Sequence, residues 1–184
     1  ITVLQSSYTY LKNAITLSII EQTKKIPSKL RYEHALKSAE TYNVPVIKAI
    51  MNCVAATALV ELSQNDNAIA LLKQGLEHTK KLDVAYFLIN VTLGKLYYEK
   101  QSDEWVVYYE AAVNNYQAQW KQDIRPIIEQ MAEYFESTGQ RLSAEGNFKE
   151  AAAVYKRSIT MNTLLHLKRR YKDIYSANAP GAHT

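Results

Sequence analysis

A single cysteine, Cys53, occurs in the 184 residues, so no internal disulfide can form. That usage fits a reducing compartment. Glycine and proline are nearly as scarce, at five and four residues. So few breakers favour long helices over many short strands. No apolar run approaches the roughly 20 residues that a membrane-spanning helix needs. No secretory signal pattern opens the chain. A cytoplasmic location is therefore expected. The chain opens at Ile1 without Met, and it reads as part of something longer or as a processed product. The four histidines are His34, His78, His166 and His183, and none stands three or four residues from another His, Cys or carboxylate. A helical metal site needs such spacing, so neither metal nor cofactor is expected. Gly-rich phosphate loops, GxSxG and cysteine-nucleophile signatures are also missing. No residue is assigned a catalytic role, and the chain is not expected to be an enzyme.

What remains is a chain with 47% hydrophobic and 22% charged residues, ordinary for a globular domain with a real core. Its net charge of +4 is mild. The densest basic cluster is Lys168-Arg169-Arg170-Tyr171-Lys172, read as a solvated helix face or helix end. Phosphate-backbone affinity needs several spread cations, so direct nucleic-acid contact by this domain is not expected, and neither is a membrane partner.

Apolar spacing predicts helices throughout. Tyr8–Thr23 carries Leu11, Ala14, Ile15 and Ile19 on one face. A second helix runs from Pro27-Ser28 to Tyr42. Asn43 as N-cap and Pro45 in the first turn open a third, to about Leu62. Asn67–Lys81 follows Ser63-Gln64-Asn65-Asp66, with Gly75 mid-helix and His78, Lys80 and Lys81 at its end. Asp83 caps the next. A helix from Asp123, with Pro126 in its first turn, runs to Gly146. Asn147 and Glu150 have capping-box spacing for a helix to about 162. A last helix covers 164–175, and a frayed tail follows.

One stretch, 91–113, is the most informative. Leu93, Gly94, Tyr97 and Tyr98 share a helical face, Ser102-Asp103-Glu104 punctuates, and Trp105, Tyr109 and Ala112 restart the periodicity. A Leu-Gly-x-x-Tyr helix, a polar turn and a helix ending on a small residue resembles the tetratricopeptide (TPR) repeat. Trp105 departs from it, standing where the family has a small residue, and the turn is one residue short. Either the helices are pushed apart there or the shortened turn re-aims the second helix. Ala68, Trp105 and Ala151 are equivalent positions at intervals of 37 and 46 residues, against a TPR period of about 34.

The resemblance implies an all-α, TPR-like α-solenoid of antiparallel helix pairs in a right-handed superhelix. One domain, 1–176, is expected, with pairs at 8–42, 43–81, 83–120 and 123–162, a capping helix at 164–175 and a tail at 177–184. It also implies that the first helix of each pair lines a concave groove. On that frame the peptide-binding positions are Asn52, Thr57, Asn90, Lys95, Tyr98, Glu99, Glu136 and Gln140. Asn52 and Asn90 recur in successive repeats; they either hydrogen-bond an extended peptide backbone or bond locally between paired helices. Tyr98 either lines the groove or packs between helices. Chaperone-tail binders of the family hold a terminal carboxylate with a clamp of Lys, Asn, Asn, Lys and Arg on first helices. Among the matching positions here are Cys53, Thr57, Val91 and Lys95, and only Lys95 is cationic, so such a clamp is not expected. In character the chain is more similar to TPR domains of peptide-pheromone receptors of Gram-positive bacteria, which are transcription regulators or response-regulator phosphatases. That implies a C-terminal sensor part taking a short peptide, with a possible homodimer. A protein–protein assembly scaffold and the regulatory domain of a phosphatase stay open as alternatives.

Overall fold

The structure is a computed structural model that describes residues 25–81, 83–117 and 123–177, except the side chains of 166–177. The expected helix at 8–23 lies outside them. Among the described residues there are seven helices and no strand: α1 (Ser28–Tyr42), α2 (Pro45–Glu61), α3 (Asn65–Leu76), α4 (Val84–Glu99), α5 (Glu104–Asn114), α6 (Arg125–Ala144) and α7 (Phe148–Ala177). The chain forms two compact units, Ile1–Trp120 and Lys121–Thr184, where the sequence suggests one domain.

Three hairpins, α2–α3, α4–α5 and α6–α7, are the repeating element. Each first helix ends in the same way. Ser63, Gln101 and Gly146 take the left-handed conformation, with φ of 59°, 56° and 79°. The next N–H reaches back five residues in each case: Gln64 to Leu59 O, Ser102 to Tyr97 O and Asn147 to Leu142 O, at 2.9–3.0 Å. This is the Schellman cap, which satisfies carbonyls that the helix end would otherwise orphan. Only Gly146 is free of the steric cost of positive φ. Gln101→Gly should therefore stabilise the chain by about 1 kcal/mol, and Gly146→Ala should cost a similar amount. Paired urea titrations check both.

The middle turn, 100–103, is one residue longer than the outer turns at 62–64 and 145–147, not one shorter as the sequence suggests. What differs is how the second helix starts. In the outer hairpins the second helix begins with four-residue bonds, Ala68 N–H to Gln64 O and Ala151 N–H to Asn147 O. In the middle one, Trp105 N–H bonds Ser102 O and Val106 N–H bonds Asp103 O, both three residues back. The first turn of α5 is therefore tight, of the three-residue kind. Trp105 is buried and meets Tyr98 and Tyr109 edge-on, each with ring centroids 5.5 Å apart.

Glycines set how closely the hairpin helices approach. A Cβ on Gly94 would run into the ring of Tyr109, and one on Gly139 would lie 2.7 Å from Tyr155 Cε1. Gly75 is less crowded, with Ile89 Cδ1 at 3.1 Å and Asn52 Cβ at 3.3 Å. Within the first unit α4 also packs on both α2 and α3. First helix therefore lies against first helix in neighbouring pairs, the stacking of a TPR-like array.

Several helix ends differ from expectation. Asn43 is the left-handed C-cap of α1, while extended Val44, restricted by Pro45, is the N-cap of α2. The α3 helix stops at Leu76 because Thr79 Oγ donates to Leu76 O and Lys80 N–H turns to the Asp83 carboxylate. Asp83 holds the N-cap position of α4 but spends its side chain on that loop. The α5 helix ends at Asn114 rather than near Trp120. Asn147 donates its amide to Glu145 at 3.4 Å. The α7 helix runs without a break to Ala177, because no glycine or proline interrupts Phe148–Ala177 to separate a capping helix.

Candidate functional site

Burial divides each first helix of the first unit into a packed side and an open side. On α2, Ile47, Ala49, Met51, Ala55, Ala56, Ala58 and Leu59 are buried. The remaining arc carries half-buried Cys53, Val54 and Val60 and exposed Thr57 and Glu61, and α1 packs on this helix as well. On α4, Phe87, Ile89, Leu93, Leu96 and Tyr97 are buried, and the arc left open carries Leu88, Val91, Lys95, Tyr98 and Glu99. Steps of three and four residues put each set on one stripe. Thr57 and Lys95 are exposed and occupy the same place relative to the caps at Ser63 and Gln101.

Of the expected binding residues, Thr57, Lys95, Tyr98 and Glu99 lie on these open stripes. Tyr98 is 53% exposed while one ring edge is fixed against Trp105. Thr57 Oγ donates back to Cys53 O at 3.0 Å, leaving its methyl to the surface. Glu136 and Gln140 are exposed on α6, which belongs to the second unit.

The asparagines do not serve as expected. Asn52 and Asn90 are buried, at 6% and 1% exposure. Asn52 donates to Leu71 O of its paired helix at 3.3 Å, and Asn90 donates to Tyr86 O of its own helix at 2.8 Å. Each stands one position before a residue of the open stripe, which turns it by about 100° into the packed side. The local alternative holds: these amides bond inside the hairpins and do not face a peptide.

Glu61, another open-stripe carboxylate, is already engaged. Arg31 of α1 is buried and ion-paired with Glu61, and Ser28 Oγ donates to the same oxygen. The Ser28 hydroxyl and then the Arg31 guanidinium hold the Glu61 carboxyl below its usual range. A depressed folded-state pKa means stability that is complete above the unfolded value and lost as pH falls through the folded one. The side chain is 37% exposed, so screening limits the term to about 1 kcal/mol. Glu61→Gln should remove that acid-side slope from the stability–pH profile.

Cys53 is a free thiol at the border of the α2 stripe. Burial pushes it up to about 11, and a hydrogen bond with Thr92 works against that shift. Through Thr92 it links α2 to α4, and the raised pKa keeps it as the neutral thiol near neutral pH. Among the described residues no group of three His, Cys, Asp or Glu could hold a metal ion. Lys73 lies 5.3 Å from the Tyr97 ring centroid, over a pair in which Tyr97 and Tyr108 stack at 5.3 Å. This joins α3, α4 and α5 away from the open stripes.

Sequence reasoning passed over Leu88, Val54 and Val60, the half-buried apolar residues flanking Lys95 and Thr57. Their signal was available as continued three- and four-residue spacing, but it is also the signal of a core.

Hairpins with a common cap, close first helices in the first unit and glycine–tyrosine crossings at Gly94 and Gly139 define an all-α, TPR-like fold of antiparallel helix pairs. Among solved structures, the chain is similar to one titled as the crystal structure of MamA, at 16% identity and a TM-score of 0.43, covering 90% of this chain and 85% of that one. No protein-family model matches the sequence. No curated protein matches it either.

Proposed function

We propose that this chain is a protein-binding domain that holds a peptide or an extended partner segment along the open stripes of α2 and α4. The observation that carries this is the pair of parallel stripes with matching composition. Each has half-buried aliphatics at its centre and exposed polar groups around them: Thr57 on α2, and Lys95, Tyr98 and Glu99 on α4. Apolar floor with sparse polar groups is the usual make-up of a peptide-binding surface. With Asn52 and Asn90 turned inward, affinity comes from side-chain contacts and from Lys95, not from amides reading the peptide backbone. Lys95 favours a ligand carrying a carboxylate, and Tyr98 supplies a rigid amphipathic contact.

The finer reading is a regulatory sensor of short peptides. Binding would act by favouring one arrangement of the helices, which requires different affinity for the two. An assembly scaffold is the second reading, favoured by exposed Val107 on α5, 63% accessible and outside the stripes. The regulatory domain of a phosphatase is a third.

The test is to pan a random peptide library against the chain and titrate a recovered peptide by fluorescence polarisation. Lys95→Glu and Tyr98→Ala should each weaken binding about tenfold or more, while Val107→Asp leaves it unchanged. Equal affinity for all four proteins would overturn the reading, and dependence on Val107 alone would favour the scaffold.

A further inference from the structure

The α7 helix outruns its partner. Ser158 Oγ bonds Ala132 O, Arg157 lies over the Phe135 ring at 4.2 Å, and Gly139 meets Tyr155. The pairing thus runs backwards along α6 as α7 advances. Counted from Ala132, the first residue of α6, Arg125, stands opposite about position 165. Cover fades accordingly, from buried Met161 to half-buried Leu164 and Leu165. The helix continues to Ala177, about 18 Å further at 1.5 Å per residue. Within its own unit, nothing on α6 lies opposite this segment.

Its composition is unlike the rest of the chain. Lys168, Arg169, Arg170 and Lys172 are opposed only by Asp173, so the segment carries three of the chain's net four positive charges. Leu164, Leu167, Tyr171, Ile174 and Tyr175 recur at steps of three, four, three and one, a narrow apolar stripe. Lys168 and Lys172 are placed along one border of that stripe and Arg170 along the other. We infer that the projecting end of α7 binds an anionic phospholipid surface. The stripe would enter the headgroup boundary and the flanking cations would pair with lipid phosphates. A bare polyanion would use the charges but leave the apolar stripe without a role. A second copy of the segment would repel the first. No helix among the described residues is long and apolar enough to cross a membrane, so the contact is peripheral.

The experiment sediments the full chain with phosphatidylcholine vesicles, alone or mixed with phosphatidylglycerol. Binding should require the anionic lipid. Replacing Lys168, Arg170 and Lys172 together by Gln should weaken it roughly hundredfold. Ile174→Asn, with every cation kept, should weaken it roughly tenfold. Circular dichroism and Tm should stay unchanged in both, because the sites lie beyond the hairpin core. No sedimentation, equal sedimentation on the neutral vesicles, or variants that bind like the parent would overturn the proposal. So would binding to duplex DNA that Ile174→Asn leaves intact, or retention on polyglutamate without vesicle binding, which would assign the segment to nucleic acid or to an acidic protein.

Discussion

Gly94→Trp should lower the unfolding free energy by about 3 kcal/mol, the upper part of the range for overpacking. Gly94 is buried, and even one added carbon would enter the space of the Tyr109 ring. Tyr109 cannot easily yield. It is itself buried, and Trp105 bears on it edge-on. Any larger side chain must therefore push α5 away from α4. Alanine substitutions give a graded form of the same test. Gly94→Ala should cost most and Gly139→Ala less, since its added carbon would lie 2.7 Å from Tyr155 Cε1. Gly75→Ala should be close to neutral, because a flexible Ile89 methyl at 3.1 Å can move and alanine gains about 1 kcal/mol in helix propensity. In a Tyr109→Leu background the cost of Gly94→Ala should largely vanish. Equal Tm shifts at all three glycines would contradict the crossing geometry.

Trp105→Ala is the second large effect, and it runs against family resemblance. It installs the residue that the sequence pattern aligns with Trp105 in both sister repeats, Ala68 and Ala151, each of them buried. It should nevertheless cost about 3 kcal/mol, the typical loss for emptying a large aromatic site. The indole fills the space between Tyr98 and Tyr109, with 5% of the residue exposed. Tyr98 would also lose the edge that fixes its ring. Urea titration measures the first loss. The second appears as weaker peptide binding in Trp105→Ala, even where the protein remains folded.

The hairpins were legible in the sequence because their signals are local and redundant. Leu93-Gly94, Tyr97, Tyr109 and Ala112 state both a periodicity and a close crossing. Helix ends were less legible where two signals competed. Asn43 suits an N-cap and also tolerates left-handed backbone, and the second use prevailed because Pro45 demanded an extended residue before it. Lys80 and Lys81 suit a helix C-terminus, but Asp83 captured the Lys80 N–H and closed a loop. The length of α7 was hidden because a repeat frame ends its second helix near 162 and starts a capping helix after it, although nothing there breaks a helix.

The candidate site was half legible for a physical reason. Frame arithmetic locates a turn of helix but not which side of it faces the neighbouring helix. One residue is a rotation of about 100°, enough to separate exposed Lys95 and half-buried Val91 from buried Asn90. Polar character then misleads, since an asparagine inside a hairpin can satisfy its amide on a carbonyl, as Asn52 does on Leu71.

The most direct test of the binding claim is an amide and side-chain NMR titration of the chain with a peptide recovered from library panning. Shifts should concentrate on the open stripes, at Val54, Thr57, Leu88, Val91, Lys95 and Tyr98, while Val107 is silent and Asn52 and Asn90 keep their protected amides. Shifts centred on α3 or α5, with Thr57 and Lys95 unmoved, would contradict that claim.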